Sequence, residues 1–251
     1  HDFTDYGWDL RKKDSANTES PVELLKALAQ VDGVEWIRLL YLYPDGISDE
    51  MIQLMKSNKK FVKYFDMPLQ HINNQVLKSM NRKMTREEIT SALDKIRTHI
   101  PDAVIRTQFI VGFPGETEEQ FEELLAFIAE QKFDRVGCFQ YSPEENTPGG
   151  KMDQQIDEET KQRRHDAIME VQQNISREKH KSFIGKTLDV LVEGYSEETE
   201  LLLQGRTSQQ APDIDGVVLI NDGQAQIGDL VKVRITESME YDLIGEIVES
   251  V

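Results

Sequence analysis

Short apolar runs alternate with longer amphipathic segments through the first 180 residues. The apolar runs predict four strands, at 35–44, 61–70, 103–113 and 135–143. Helical spacing of apolar residues follows two capping-box signatures, Thr85 with Glu88 and Thr117 with Gln120. Apolar strands that alternate with helices are typical of a parallel sheet whose helices cover one or both faces. We therefore expect an α/β fold in this part of the chain.

The pattern changes after Phe183. Five short β-rich runs, separated by Gly, Asp and Pro, occupy the last 69 residues. Such spacing predicts a small all-β barrel of the OB type. We place the domain boundary near residue 182, which gives an α/β domain at 1–182 and a barrel at 183–251.

The start of the chain fits poorly with a closed (β/α)₈ barrel. His1 and Asp2 resemble the polar tip of a strand, and only four complete strands follow before the small barrel, where a closed barrel needs eight. We expect the α/β domain to be the later part of a partial barrel whose earlier strands precede His1.

Composition narrows the function classes. The chain carries 46 Asp and Glu against 29 Lys and Arg, a net charge of −17, which argues against a generic nucleic-acid binder. It has one cysteine, so it cannot build a disulfide or a cysteine-ligated cluster alone. The sequence shows neither a membrane-spanning run nor a signal peptide, and we expect a cytoplasmic protein.

Polar and turn residues collect at the predicted carboxyl ends of the strands, where parallel α/β sheets bind ligands. The prolines among them also serve simply to end strands. Their shared position favours a common site. These residues are Tyr41, Tyr43, Pro44, Asp66, Pro68, Gln70, His71, Gln108, Val111, Gly112, Pro114, Tyr141, Ser142 and Pro143.

Arg106 and Gln108 lie two residues apart on the third predicted strand, so their side chains share a face. An interior arginine needs an anionic partner because an unpaired buried charge is very costly. The partner is either an acid of the chain, such as Asp66, or the carboxylate of a ligand. The sequence leaves these two interpretations open.

Three other features carry weaker signals. The Gly112–Thr117 loop lacks the Walker ending and only hints at a small-ligand site. Cys138 in mid-strand is interpreted as a buried structural thiol, and the histidines show no metal-ligand spacing, so we predict no metal site. The basic group 81–83 is interpreted as a solvated helix end.

Four segments together resemble the radical S-adenosylmethionine methylthiotransferases. They are RLLYLYP at 38–44, DMPLQHINNQVLKSMNRKMT at 66–85, IRTQFIVGFPGETEEQFEEL at 105–124 and VGCFQYSPEENTPGG at 136–150. The last 69 residues resemble the TRAM domain that ends those proteins. The resemblance implies a partial TIM-like radical barrel followed by a TRAM barrel.

The resemblance also implies cofactors. Members of that family bind S-adenosylmethionine and two 4Fe–4S clusters, whose cysteine motifs are not found in this sequence, so this stretch alone is expected to be inactive. The resemblance identifies no catalytic residue here. The residues that match positions of the cofactor site are Tyr43, Pro68, Gln70, Arg106, Gln108, Val111 and Ser142.

Two branches of the family modify different substrates, either an adenosine of tRNA or the β-carbon of an aspartate in a small-subunit ribosomal protein. Residues 183–251 carry 4 basic and 14 acidic residues, which should repel phosphate and attract a basic protein. The motifs also resemble the ribosomal-protein branch, and we expect a monomer that uses its acidic TRAM domain for this partner. The alternatives are the tRNA branch, a non-enzymatic acidic adaptor, and a TIM-like hydrolase or lyase.

Overall fold

The computed structural model describes residues 3–14, 18–197 and 199–248; the strand tip expected at His1 lies outside them. The first part of the chain forms a four-stranded sheet in which every neighbouring pair is parallel. In spatial order the strands are β1 (Ile37–Leu39), β2 (Phe61–Asp66), β3 (Val104–Val111) and β4 (Arg135–Gln140). The sheet confirms the predicted parallel α/β architecture.

Seven α-helices are present in the described part of the chain. They are α1 (Trp8–Lys13), α2 (Pro21–Ala29), α3 (Asp49–Ser57), α4 (Asn74–Ser79), α5 (Arg86–His99), α6 (Glu118–Gln131) and α7 (Glu158–Lys181). Both predicted capping boxes form, with Thr85 and Glu88 before α5 and Thr117 and Gln120 before α6. The sequence pattern did not indicate α1, which is short and buries none of its residues.

The core of the sheet lies along β2 and β3, whose residues are almost all buried. Phe65 and Phe109 are fully buried, and Leu93 of α5 and Leu124 of α6 belong to the same apolar cluster. Strands buried on both faces contain near-continuous apolar sequence, which is why the apolar runs predicted them well.

The strands are shorter than the apolar runs suggested because the backbone turns sharply at their carboxyl ends. Tyr41 adopts a left-handed conformation with φ +58° shortly after β1. Gln70, with φ +72°, follows β2 and pairs with Phe109 of β3 in an isolated bridge. These turns place polar side chains at one edge of the sheet.

The last part of the chain is a closed five-stranded barrel, as predicted. Its strands are β5 (Thr187–Ser196), β6 (Thr199–Thr207), β7 (Val218–Asp222), β8 (Leu230–Ser238) and β9 (Leu243–Ile247), in the order β5-β6-β7-β9-β8. The β7–β9 pair is parallel and the other pairs are antiparallel. Val190, Val218 and Val233 are fully buried in its core.

Two compact units divide between Gln172 and Gln173, inside α7. Gln172 donates a hydrogen bond to the carbonyl of Phe133 within the first unit, and Ser176 donates one to the carbonyl of Glu240 within the second. The boundary expected from sequence near 182 stays a prediction. No helix in the described ranges has the length and apolar character needed to cross a membrane.

Alanine substitutions at two glycines of the β5–β6 pair, Gly194 and Gly205, test the packing of the barrel. A Cβ atom at Gly205 would lie 2.4 Å from the carbonyl oxygen of Leu191, whereas one at Gly194 would meet nothing within 4 Å. We expect Gly205→Ala to lower the free energy of unfolding by about 1–3 kcal/mol because backbone must shift.

Gly194→Ala is the matched control and should change stability by less than about 1 kcal/mol. Urea titration of both variants, followed by circular dichroism, measures the difference. Equal stability of the two variants would contradict the described packing of β5 against β6.

Candidate functional site

A buried carboxylate lies at the carboxyl end of β2. Asp66 is 1% exposed, and its Oδ1 accepts a hydrogen bond of 2.7 Å from Nη1 of Arg106. Its Oδ2 accepts from the backbone amide of Tyr41 at 3.1 Å, and its carbonyl accepts from the amide of Leu42 at 2.8 Å. One residue therefore fixes the ends of β1, β2 and β3 relative to one another.

Arg106 and Gln108 share a face of β3, as their spacing predicted. With its amide oxygen turned toward the guanidinium, Gln108 accepts from Nη1 and Nη2 of Arg106 at 2.8 and 3.0 Å. The structure thus supplies the acid partner that the sequence left open, because Arg106 pairs with Asp66 inside the chain. The pair is buried on both sides, so its geometry is held rigidly.

The first cavity at this edge, named the β1–β3 cavity, has a volume of about 270 Å³. Its walls come from the turns after β1 and β2, from Arg82 after α4 and from Gln108 of β3. The lining residues are Tyr41, Leu42, Tyr43, Pro68, Gln70, Arg82 and Gln108.

The second cavity, named the β3–β4 cavity, has a volume of about 390 Å³ and shares Gln70 and Arg82 with the first. Phe113 and Tyr141 meet edge to face in its wall, with ring centroids 5.0 Å apart. The other lining residues are Ser79, Met80, Asn81, Ile110, Ser142, Glu144, Thr147, Pro148 and Gly149. Aromatic walls with a few polar groups are typical of small-molecule sites.

Strained backbone concentrates around the two cavities. Five non-glycine residues in the described part of the chain have positive φ, and Tyr41, Gln70 and Asn81 are among them. All three line one or both cavities. Asparagine adopts this conformation readily at a helix end, but for Tyr41 and Gln70 it costs free energy, and such strain occurs preferentially at functional sites.

The loop after β3 is held by a second buried carboxylate. Oε2 of Glu116 accepts hydrogen bonds from the amides of Gly112 at 2.5 Å and Phe113 at 3.1 Å. Its Oε1 lies 3.3 Å from Nη1 of Arg164 and 3.9 Å from Nε2 of His71. Since Nδ1 of His71 accepts from the amide of Asn73, Nε2 carries the proton of the neutral ring.

Glycine is required at position 112 of this loop. Its φ is +73°, and a Cβ atom there would lie 2.3 Å from Cγ of Lys161. The Lys161 side chain is 2% exposed, and its Nζ bonds to Glu158 at 2.7 Å. The helix α7 therefore packs directly on the loop through the lysine stem.

Cys138 lies on β4, buried as the sequence predicted. Burial raises the pKa of its thiol to about 12, and the nearby charges of Glu116 and Asp166 add to the effect. A thiol with so high a pKa stays protonated at neutral pH and is therefore a poor nucleophile.

Five of the seven residues expected to hold a cofactor line at least one of the two cavities. Tyr43, Pro68, Gln70 and Gln108 line the β1–β3 cavity, and Ser142 lines the β3–β4 cavity. Their contact with a cofactor stays a prediction.

Two expected residues line neither cavity. Arg106 is engaged by Asp66 and Gln108, and the Val111 side chain is fully buried in the apolar core. Their assignment as cofactor contacts also stays a prediction.

Sequence reasoning missed the role of Arg82 in forming these walls. The basic group 81–83 was interpreted as a solvated helix end, yet Arg82 is half-buried and lines both cavities. The signal that could have found it is Asn81, because asparagine favours the left-handed turn that ends a helix.

Removal of the Asp66 carboxylate should be far more costly than removal of an exposed one. Asp66→Ala leaves the Arg106 guanidinium buried without its carboxylate, and we expect a loss of about 3–5 kcal/mol in the free energy of unfolding. The matched control is Asp102, which is largely exposed. Its carboxylate pairs at 2.9 Å with Lys63, a residue of the same strand as Asp66, β2.

Asp102→Ala should cost less than about 1 kcal/mol. Chemical denaturation of both variants measures the two losses. Similar losses would show that the buried pair does not fix the strand ends.

The raised pKa of Cys138 predicts low thiol reactivity. At pH 8 the folded chain should react with a disulfide reagent much more slowly than the chain in concentrated urea, because only the unfolded state exposes the thiol. A rate in the folded chain equal to that in urea would contradict the buried position of Cys138.

Two family models match parts of this chain. Residues 14–128 match the Radical SAM superfamily, and residues 184–248 match the TRAM domain. Among solved structures, the radical SAM enzyme coproporphyrinogen III oxidase of Escherichia coli aligns with a TM-score of 0.44 and 21% identity, covering 59% of this chain and 33% of that one.

Two curated relatives are ribosomal protein uS12 methylthiotransferases. The protein of Bdellovibrio bacteriovorus is 77% identical over 99% of this chain, and that of Geotalea uraniireducens is 53% identical over 98%. The chain spans about half the length of these relatives, 54% of each. The chain therefore matches the Radical SAM superfamily in residues 14–128 and the TRAM domain in residues 184–248, and it is similar over nearly its whole length to ribosomal protein uS12 methylthiotransferases.

Proposed function

We propose that the protein containing this chain is a radical S-adenosylmethionine methylthiotransferase that adds a methylthio group to the β-carbon of an aspartate in ribosomal protein uS12. The observation that carries the proposal is the 77% identity with a uS12 methylthiotransferase along 99% of the chain. The strand-end cavities supply a site in the position where parallel α/β folds bind ligands.

The residues at the strand ends fit S-adenosylmethionine. The two cavities share a wall and together reach the size of pockets that hold a nucleoside-sized ligand. Tyr43 and Tyr141 offer aromatic faces to a purine, and Gln70 and Gln108 offer amide groups. When bound, this cofactor supplies the radical chemistry of the superfamily.

An iron–sulfur cluster does not fit the residues of this chain. The single cysteine is buried, and the described residues contain no group of three His, Cys, Asp or Glu side chains placed to hold a metal. The two clusters implied by the resemblance are proposed to belong to other parts of the protein, and we derive no step through them.

The chain's own contribution to the reaction is positioning. The Asp66–Arg106 pair holds Gln108, which lines the β1–β3 cavity, so a bound ligand meets a side chain already in place. Glu116 fixes the amides of Gly112 and Phe113 and thereby the loop beside the β3–β4 cavity. Tyr141 and Phe113 contact each other edge to face and form an aromatic part of that cavity's wall.

The charge of the barrel supports a basic protein as the substrate. A cavity of about 510 Å³ on the barrel includes five carboxylates in its lining, those of Glu193, Glu197, Asp213, Asp215 and Asp242. Its one lysine or arginine side chain among the described residues, Arg206, is paired with Glu193 at 2.7 Å. Such a surface repels phosphate and attracts Lys and Arg side chains. The barrel is therefore proposed to bind the ribosomal protein, in a monomeric enzyme of the cytoplasm.

The substrate is tested with the chain extended by the N-terminal half of the Bdellovibrio relative and loaded with clusters. We expect incubation with S-adenosylmethionine and a sulfur donor to add the mass of one methylthio group to uS12 and to leave tRNA unchanged. Modification of tRNA alone would overturn the choice of substrate. Failure to bind S-adenosylmethionine at all would favour the non-enzymatic adaptor.

The acidic barrel cavity is tested by removing two charges. The double variant Glu197→Gln with Asp213→Asn keeps the left-handed backbone at position 213, where φ is +60°. We expect it to bind uS12 about threefold to tenfold more weakly at low salt. The matched control, Glu130→Gln with Glu170→Gln, removes two exposed charges from α6 and α7 and should leave affinity unchanged. Equal effects would show that net charge, and not this cavity, attracts the partner.

A further inference from the structure

Arg82 lies in the wall that the β1–β3 and β3–β4 cavities share. It is half-buried and lines both of them. The described contacts give its guanidinium neither an ion pair nor a hydrogen bond. Arg106 and Arg164 of the same unit differ in this respect, since their guanidinium groups are paired with Asp66 and Glu116.

The backbone of Arg82 is fixed by the end of helix α4. Asn81 adopts a left-handed conformation with φ +56°, and its amide donates to the carbonyl of Lys78 at 3.0 Å. The amide of Arg82 donates to the carbonyl of Leu77 at 2.8 Å, which completes a Schellman motif. The residue at this position of the motif often makes an apolar contact, but here it is a cation beside a cavity. The backbone of Arg82 is therefore fixed beside the two cavities before any ligand arrives.

The charges around Arg82 indicate the ligand chemistry. Among the described lining residues of the two cavities, Glu144 is the only acid and Arg82 the only lysine or arginine. A site with one positive and one negative group suits a singly charged carboxylate better than a phosphate dianion, which Glu144 would repel. A guanidinium also binds the two oxygens of a carboxylate in a fork.

We propose that Arg82 anchors a ligand carboxylate in the shared wall of the two cavities. The inference rests on the proposed function, which offers two sources of this group. One is the methionine carboxylate of S-adenosylmethionine, and the other is the side chain of the substrate aspartate. Both present the same chemistry to the guanidinium, and the experiment separates them.

Calorimetry on the 251-residue chain compares the wild type with Arg82→Gln. The probes are S-adenosylmethionine, 5′-methylthioadenosine, which lacks the carboxylate, and a uS12 peptide with its aspartate or with asparagine in its place. Loss of a charge-assisted fork should weaken the carboxylate ligand about tenfold to hundredfold. Binding of 5′-methylthioadenosine and of the asparagine peptide should stay unchanged.

The ligand that loses affinity identifies the source of the carboxylate. Lys83→Gln is the matched control, because it removes an exposed charge from the next residue, which lines neither cavity. Arg82→Lys keeps the positive charge but cannot form the two-pronged hydrogen bond, so it should lose less affinity for the carboxylate ligand than Arg82→Gln. This intermediate affinity would show that the loss in Arg82→Gln does not come from a folding defect.

Equal binding of both carboxylate ligands by wild type and Arg82→Gln would overturn the inference, and so would an equal loss in Lys83→Gln. Failure of the wild-type chain to bind either ligand would also overturn it. The proposed function is decided separately by the mass gain of uS12 in the cluster-loaded protein, so the two failures are distinguishable.

Discussion

Burial of the Asp66 carboxylate is the constraint on which the strand-end site depends. An ionised carboxylate is tolerated inside a protein only with full hydrogen bonding, and Asp66 obtains it from the Arg106 guanidinium and the Tyr41 amide. Each partner comes from a different strand or strand end. The requirement to satisfy one charge therefore fixes the ends of three strands and the left-handed turn at Tyr41, which lines the β1–β3 cavity.

A second buried carboxylate, that of Glu116, lies beside the β3–β4 cavity. It satisfies its charge with two loop amides and with Arg164 of α7. Buried charged groups contribute little net stability compared with apolar packing, but they specify one geometry. The site is thus bordered by two rigid carboxylates, while the polar groups that line the cavities, Gln70 and Arg82 among them, face space that a ligand can fill.

The sequence predicted the architecture better than it predicted the site. Apolar runs found β2 and β3 because both strands are buried on both faces, and Thr85 and Thr117 began helices through local capping that needs no tertiary contact. Arg82 was missed because its importance comes from two cavities built by distant segments. The pairing of Arg106 with Asp66 was one of two open interpretations, since spacing shows which residues share a face but not which acid reaches them.

Hydrogen–deuterium exchange of the chain with and without S-adenosylmethionine tests the central claim most directly, because it reports where the ligand binds without relying on turnover. The account predicts slower exchange at the amides of 41–43, 69–71, 112–113 and 141–142, the turns that surround the two cavities, and no change in the barrel strands β5–β9. Unchanged exchange at these turns, or protection confined to the barrel, would contradict the assignment of the strand ends as the cofactor site.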